Sequence, residues 1–413
     1  MAELLYGHVY FFDHFAGVLR QETGERCSFT YDGAYLDSAY QGAGLQPISL
    51  TLPLTSKPQV YEGRLHPFFD NLLAEGRQAA VQARWLGVPV EDRFARLLAF
   101  GGDCIGAVTI RDPKPREATG EPPESAEDIA ALASRASISG VQAKLLAVKT
   151  ANGFRPVRQG ELSTHIAKLP SGNLAEVVEL EHLATRAAEI LLAADEIVET
   201  EIAPLDGIAE TCLAIRRFDR VDENGAIAKR HFEEFNQILG HVSEDKYQGA
   251  YGDMAGAMRE DPRCSPIDVE KLFRRILVSI LLGNNDAHMK NFGLLYIDGR
   301  LRLAPFYDVL AAALYGEYSR TPMALRLMSR GTNPTSLAGI ERVHLVGLAT
   351  SFGLKNSALR EALHDLGKRI EIAREAVREM PYGSKKLRDN LADYMGKRWN
   401  GTFREITGST GRG

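Results

Sequence analysis

The chain has 413 residues, 45% hydrophobic and 25% charged, with a formal net charge of −5. At roughly 150 residues per domain this length makes about two or three lobes, and the composition excludes collagen-like, coiled-coil and wholly disordered classes. The mildly acidic balance disfavours a whole-surface attraction to nucleic acid or anionic lipid, so any such contact needs a local basic patch.

From Leu4 to about Pro53, short apolar stretches (Val9 to Phe12, Ser28 to Tyr31, Ile48 to Leu52) alternate with Gly, Asp and Pro, which predicts a small β-meander. From Pro67 the spacing of Phe68, Phe69, Leu72 and Leu73 turns helical, and a second helical stretch follows around Phe94 to Phe100. Asp112 to Asp128 holds four prolines, six acids and two bases with almost no large apolar residue; it reads as a linker, and Ser125 with Asp128 forms a capping-box signature opening a helix. Beyond it a loop at Ser137 to Lys144 precedes β-like stretches at Leu145 to Lys149 and His165 to Leu169, a helix over Glu176 to Ala193, and strand candidates at Ile197 to Ile202 and Cys212 to Ile215. After Asp219 the pattern is mostly helical: Asp268 to Leu282 is amphipathic with Pro266 as its start signal, and Asp298-Gly299 turns a hairpin over Gly293 to Leu303. Leu359, Leu363, Leu366, Ile370, Ala373 and Val377 share one helix face and are expected in the core.

Cys27, Cys104, Cys212 and Cys264 lie far apart without metal-ligand spacing and read as reduced thiols. The first residues lack a signal-peptide pattern, and no apolar run approaches the roughly 20 residues of a membrane helix. A cytoplasmic protein with no membrane partner is expected.

Polar groups concentrate in Asn284-Asn285-Asp286-Ala287-His288-Met289-Lys290-Asn291, between an apolar helix and the hairpin. Asp286 and Asn291 stand five apart, the spacing with which kinase catalytic loops hold a carboxylate towards a substrate hydroxyl and an amide towards a metal. Asp308 follows 22 residues after Asp286 in Ala-Pro-Phe-Tyr-Asp, so one hairpin can bring it to Asn291. An amide, a carboxylate and phosphate oxygens suffice for Mg2+, which keeps several waters. A phosphotransferase also needs a strand lysine for the ATP phosphates, which Lys168 supplies, and a carboxylate on the next helix, for which Glu176, Glu179 and Glu181 are available and Glu181 is favoured. The loop at Ser137 to Lys144 is neither a Walker A loop nor Gly-x-Gly-x-x-Gly, yet its backbone N–H groups can cover phosphates.

Ser-Ile-Ser-Gly-Val-Gln-Ala-Lys (137–144), His-Ile-Ala-Lys-Leu-Pro (165–170), Arg-Arg-Phe-Asp-Arg (216–220), Asn-Asp-Ala-His-Met-Lys-Asn-Phe (285–292) and Ala-Pro-Phe-Tyr-Asp (304–308), in that order, resemble the HipA family of bacterial toxin serine/threonine kinases. Pro67 to Leu73 and Gly102 to Val108 resemble that family's N-terminal subdomain, so the resemblance spans nearly the whole chain. It implies an α+β, two-lobed protein-kinase-like fold with a small α/β lobe, a mostly helical C-terminal lobe and an extra N-terminal α+β subdomain. The expected partition is 1–111 for the accessory subdomain, 112–128 for the linker, 129–220 for the N-lobe and 221–413 for the C-lobe.

By the same resemblance Asp286 is the catalytic base, Asn291 and Asp308 hold Mg2+, and Lys168 takes the ATP phosphates. Ser139, Gly140, Val141, Gln142, Lys144, Phe218 at the hinge, His288 and Lys290 complete the nucleotide-binding set, with Glu181 as the supporting carboxylate. Ser137 and Ser139 are both candidate autophosphorylation sites that inactivate the enzyme; a phosphoserine there adds about −1.5 to −2 charge and repels incoming ATP. The implied partners are a small helix-turn-helix, HipB-like antitoxin, operator DNA reached through it, and an aminoacyl-tRNA synthetase as protein substrate, with translation and growth arrest as the outcome. Arg216 stands where an acidic residue is common in the family, which bears on the hinge. Two other readings stay open: a small-molecule phosphotransferase of the aminoglycoside or choline kinase type, and a non-catalytic co-repressor that only binds the antitoxin. Ser384 to Gly413 carries seven Lys/Arg against three acids and is expected to be a solvated basic helix face.

Overall fold

The computed structural model describes residues 4–40, 45–115, 117–123, 125–133, 142–158 and 160–404. The elements, in chain order, are β1 (Tyr6–Phe11), β2 (His14–Glu22), β3 (Arg26–Tyr31), α1 (Gly33–Tyr40), β4 (Gln59–Tyr61), α2 (Pro67–Asp70), α3 (Gly76–Leu86), α4 (Arg93–Phe100) and β5 (Val108–Arg111). Next come α5 (Ala126–Ala133), β6 (Lys144–Thr150), β7 (Gly153–Pro156), β8 (His165–Lys168), α6 (Val177–Leu192), β9 (Thr200–Pro204), β10 (Thr211–Arg216), β11 (Arg220–Glu223), β12 (Ala226–Lys229), β13 (Phe232–Glu234) and α7 (Phe235–Ile238). The remainder comprises α8 (Tyr251–Glu260), α9 (Pro266–Leu282), β14 (Gly293–Ile297), β15 (Arg300–Leu303), α10 (Arg342–Ser351), α11 (Asn356–Glu379) and α12 (Lys385–Arg398). Two compact units emerge: residues 1–169 with 203–245, and residues 170–202 with 246–413. They do not run in simple chain order, because the stretch from Pro170 to Ile202, carrying α6, belongs with the later helices.

In the first unit the meander forms, but not with the strands expected throughout. The sheet order is β4-β3-β2-β1-β5, and the edge is β4 rather than Ile48 to Leu52. That apolar stretch makes only an isolated Ser49–Leu52 bridge, because its backbone is committed elsewhere: Ile48 N–H donates to the Tyr31 hydroxyl at 3.0 Å and Leu50 N–H to Glu233 at 3.1 Å. The helical spacing at Pro67 yields a single turn, after which α3, whose many charged and polar residues obscure its stripe, was not anticipated. Phe68, Phe69, Leu72, Leu73, Leu97 and Val108 pack with Val9, Phe11, Leu19 and Phe29 into one core, each large side chain contributing about 1.5–3 kcal/mol. The described residues between Asp112 and Ser125 carry no regular structure, and Gly120 N–H donates to the Trp85 carbonyl at the end of α3 at 3.1 Å. The Ser125 Oγ accepts Asp128 N–H at 3.1 Å and opens α5.

A second sheet runs β7-β6-β8-β10-β9, antiparallel from β7 to β10, with its own core of Leu145, Ala147, Phe154, Ala167, Cys212 and Ala214. The strand expected at Ile197 starts three residues later. The stretch after Asp219 is also less helical than expected: β11 and β12 form a hairpin over Asn224-Gly225, at φ 58° and 85°, the left-handed pair a type I′ turn requires.

In the second unit α6 packs on α9 and α11, and the six apolar residues of α11 are buried as expected. Helix α12 is tied to α6 at its start, where Glu176, at φ 52°, accepts Ser384 N–H at 2.5 Å and the Ser384 hydroxyl at 2.9 Å. Helix α9 is bounded by Ser265, whose Oγ accepts Ile267 N–H at 3.2 Å with Pro266 at the first position, and by Gly283 in the left-handed region. Ser265→Ala is expected to cost about 1 kcal/mol of unfolding free energy in a denaturant titration.

Candidate active site

Gly283, at φ 79°, stops α9 and throws the chain into the polar loop. Every residue from Asn284 to Asn291 is buried except Asp286, which is exposed. The backbone is held on all sides. Asn285 donates to the Tyr318 carbonyl at 2.9 Å and the Thr321 hydroxyl at 2.5 Å, while its carbonyl accepts Ala324 N–H at 2.8 Å. The Ala287 carbonyl accepts the Tyr251 hydroxyl, and Met289 N–H donates to the Lys246 carbonyl at 3.1 Å. Lys290 is 3% exposed, and its carbonyl accepts the Tyr307 hydroxyl at 2.8 Å. So much fixing around one exposed carboxylate presents that group to solvent in a set direction.

The hairpin of β14 and β15 then closes over Asp298-Gly299, at φ 49° and 73°, and returns the chain to Asp308. Asn291 Oδ1 accepts His288 N–H at 2.8 Å, and its Nδ2 donates to Asp308 Oδ2 at 2.5 Å. His288 Nδ1 accepts Lys290 N–H at 3.3 Å. Asp286, His288, Lys290, Asn291 and Asp308 are therefore brought together in one loop cluster. Asp308 itself sits at φ 59°. Asn291 Oδ1 and the Asp308 carboxylate are hard oxygen donors of the kind Mg2+ takes with water and phosphate, and here the amide turns its Nδ2 to Asp308 and its Oδ1 to His288 N–H, so holding the cation requires the amide to turn its oxygen to it. Among the described residues no group of three or more His, Cys, Asp or Glu side chains forms a closed metal cage.

The remaining residues singled out in the sequence fall in different places. Lys168 ends β8 and is 5% exposed; in register it stands directly opposite Lys144 of β6, so the two ammonium side chains share one face of the sheet. Gln142 donates to the Leu169 carbonyl at 2.9 Å, at the same end of β8. Phe218 is half-buried with its ring edge-on to Phe232 at 5.0 Å. Glu181 is 1% exposed on α6, in the other compact unit from Lys168, and of the three carboxylates Glu176 is engaged in capping α12. Ser137, Ser139, Gly140 and Val141 lie outside the described residues.

Sequence reasoning overlooked two features. One is Tyr247, whose hydroxyl donates to Asp286 Oδ1 at 3.1 Å. The other is a buried ionic cluster in the first unit. Arg217 donates to both carboxylate oxygens of Asp219 at 2.9 and 2.7 Å and to the Ser163 hydroxyl at 2.8 Å. Arg220 donates to Asp103 at 2.5 Å and Asp219 at 3.0 Å, and both guanidiniums reach the Cys104 carbonyl. Burial alone would raise the Asp219 and Asp103 carboxyls, but Arg217 and Arg220 beside them hold both below the usual carboxylate range. The cluster joins two quoted stretches, Gly102 to Val108 and Arg216 to Arg220, that sequence alone kept separate. All four cysteines are free thiols, and no helix among the described residues is long and apolar enough to cross a membrane.

A polar loop with one exposed carboxylate, an amide–carboxylate pair and a lysine-bearing antiparallel sheet sit in a protein-kinase-like α+β fold. The chain belongs to the HipA family: residues 7–111 match the HipA N-terminal domain and residues 136–374 the HipA-like C-terminal domain. It is 32% identical over 346 residues to a Sinorhizobium fredii protein named "Putative kinase Y4dM", covering 78% of this chain and 81% of that one. It is 25% identical over 307 residues to the serine/threonine-protein kinase toxin HipA of Shewanella oneidensis, covering 66% and 69% of the two chains. Among solved structures, the Shewanella oneidensis toxin–antitoxin complex of HipA, HipB and operator DNA matches the fold with a TM-score of 0.77 at 20% identity, over 98% of this chain and 99% of that one.

Proposed function

We propose that this protein is an ATP-dependent serine/threonine protein kinase, the toxin of a toxin–antitoxin module. The observation that carries the reading is Asp286, the one exposed side chain in an otherwise buried loop whose Asn291 and Asp308 stand in contact. In the reaction the hydroxyl oxygen of the acceptor serine or threonine bonds to the γ-phosphorus, the bond to the β-phosphate oxygen breaks, ADP leaves, and the hydroxyl proton passes to Asp286. Asn291 and Asp308 would hold Mg2+, which when bound offsets charge on the phosphate oxygens. Lys144 and Lys168, which stand opposite each other on one sheet face, are assigned to the ATP phosphates. Gln142, His288 and Lys290 are assigned to the nucleotide and Phe218 to adenine.

The preferred partner is a small helix-turn-helix antitoxin of the HipB kind, with operator DNA reached through it, in keeping with the chain's net charge of −5. The preferred substrate is an aminoacyl-tRNA synthetase, whose modification would halt translation in the cytoplasm. Autophosphorylation at Ser137 or Ser139 is the proposed off-switch: the added charge competes with ATP for the same backbone donors. Incubation of phosphatase-treated protein with ATP and magnesium is expected to add phosphate by intact-mass measurement, and the Ser137→Ala/Ser139→Ala variant is expected to lack it. A wild-type mass that does not change would count against the switch.

A further inference from the structure

Tyr247 lies 39 residues before Asp286, between the short motifs singled out in the sequence, yet its hydroxyl donates to Asp286 Oδ1 at 3.1 Å. Its position is fixed rather than incidental. The preceding carbonyl, of Lys246, accepts Met289 N–H at 3.1 Å, which locks residues 246–247 against the loop that carries Asp286. The Tyr247 ring stands edge-on to the His288 ring at 5.2 Å and 83°, with the Lys246 ammonium 5.4 Å from its centroid. Despite these contacts the residue is 49% exposed, on the same open side as Asp286. A half-exposed aromatic whose one polar atom is aimed at the exposed carboxylate has little to offer the core. It has a direct effect on that carboxylate, because a hydrogen bond to Oδ1 narrows the χ1 and χ2 settings open to an exposed Asp side chain.

We propose that Tyr247 is a positioning residue: its hydroxyl holds the Asp286 carboxylate in the setting that meets the acceptor hydroxyl. The inference rests on the kinase reading above. It makes the base pre-oriented before substrate arrives, so the tyrosine acts on turnover and not on nucleotide affinity.

The test compares wild type, Tyr247→Phe and Tyr247→Ala, each phosphatase-treated, by the initial rate of phosphate incorporation from labelled ATP with magnesium over a range of ATP concentrations. Loss of a hydrogen bond to a charged group predicts that Phe lowers kcat about tenfold or more, with the ATP KM within about twofold. Ala should fall to a similar rate, because the hydroxyl and not the ring matters, and the melting midpoint of Phe should stay at the wild-type value. A Phe variant with the wild-type rate beside a slow Ala variant assigns the ring to packing and overturns the proposal. So does a Phe variant whose rate and melting midpoint fall together. Absence of transfer by wild type itself is read without any variant; it overturns the kinase reading, and this inference with it.

Discussion

Asp286→Asn is expected to lower phosphate transfer roughly 10²- to 10⁴-fold, the usual contribution of a positioned general base. Asparagine keeps the shape and the acceptor oxygen for Tyr247 but cannot take the hydroxyl proton. The side chain is exposed and the loop is held by its neighbours, through Asn285, Ala287, Met289 and Asn291, so the fold should not register the change. The measurement is therefore paired: phosphate incorporation collapses while the melting midpoint and ATP binding stay near wild type. In cells, inducible wild type is expected to arrest growth and to create phosphosites that the Asp286→Asn strain lacks. Equal growth and identical phosphosites would sink the toxin-kinase reading, and the altered proteins would name the substrate.

The second large effect falls far from this loop. Asp219→Asn is expected to destabilise the first unit by about 3–5 kcal/mol, because it leaves Arg217 and Arg220 buried with half of their counter-charge gone. Both guanidiniums are about 1% exposed, so water cannot take the carboxylate's place. The carboxylates of Asp103 and Asp219 are held below their unfolded values, so their contribution is fully present above about pH 4 and lost as pH falls towards the folded values. Chemical denaturation of wild type from pH 7 downward should show that acid loss, and Asp219→Asn should show a smaller one from a lower starting point. A variant as stable as wild type at pH 7 would mean the cluster is dispensable.

What could be read from the sequence follows the range of the forces involved. The polar loop and its hairpin were legible because each device is local: Gly283 ends a helix, Asp298-Gly299 turns a hairpin, and Asp286 to Asn291 is one short loop. Asn224-Gly225 carried the same turn signal and was passed over, since its strands are only four residues long, half exposed, and the first reads Arg-Val-Asp-Glu without an apolar run. Ile48 to Leu52 shows the opposite error: apolar and β-like, it is a turn because Tyr31 and Glu233 claim its backbone from a distance. The ionic cluster was illegible for the same reason, as nothing in the neighbourhood of Asp103 announces arginines more than a hundred residues away. The family resemblance supplied order and roles along the chain, but Tyr247 lay between its quoted stretches.

The left-handed backbone at Asp308 has a bearing on how that position tolerates change. At φ 59° most L side chains clash with the following carbonyl, at about 1–2 kcal/mol, whereas aspartate, asparagine and glycine enter the region readily. An alanine there would thus report a distorted turn as well as a missing oxygen, and only asparagine separates the two. Of the three residue types the backbone admits, only aspartate brings an anionic oxygen to Asn291. Shape and charge thus select the same amino acid independently, which leaves this position almost no neutral neighbour in sequence space.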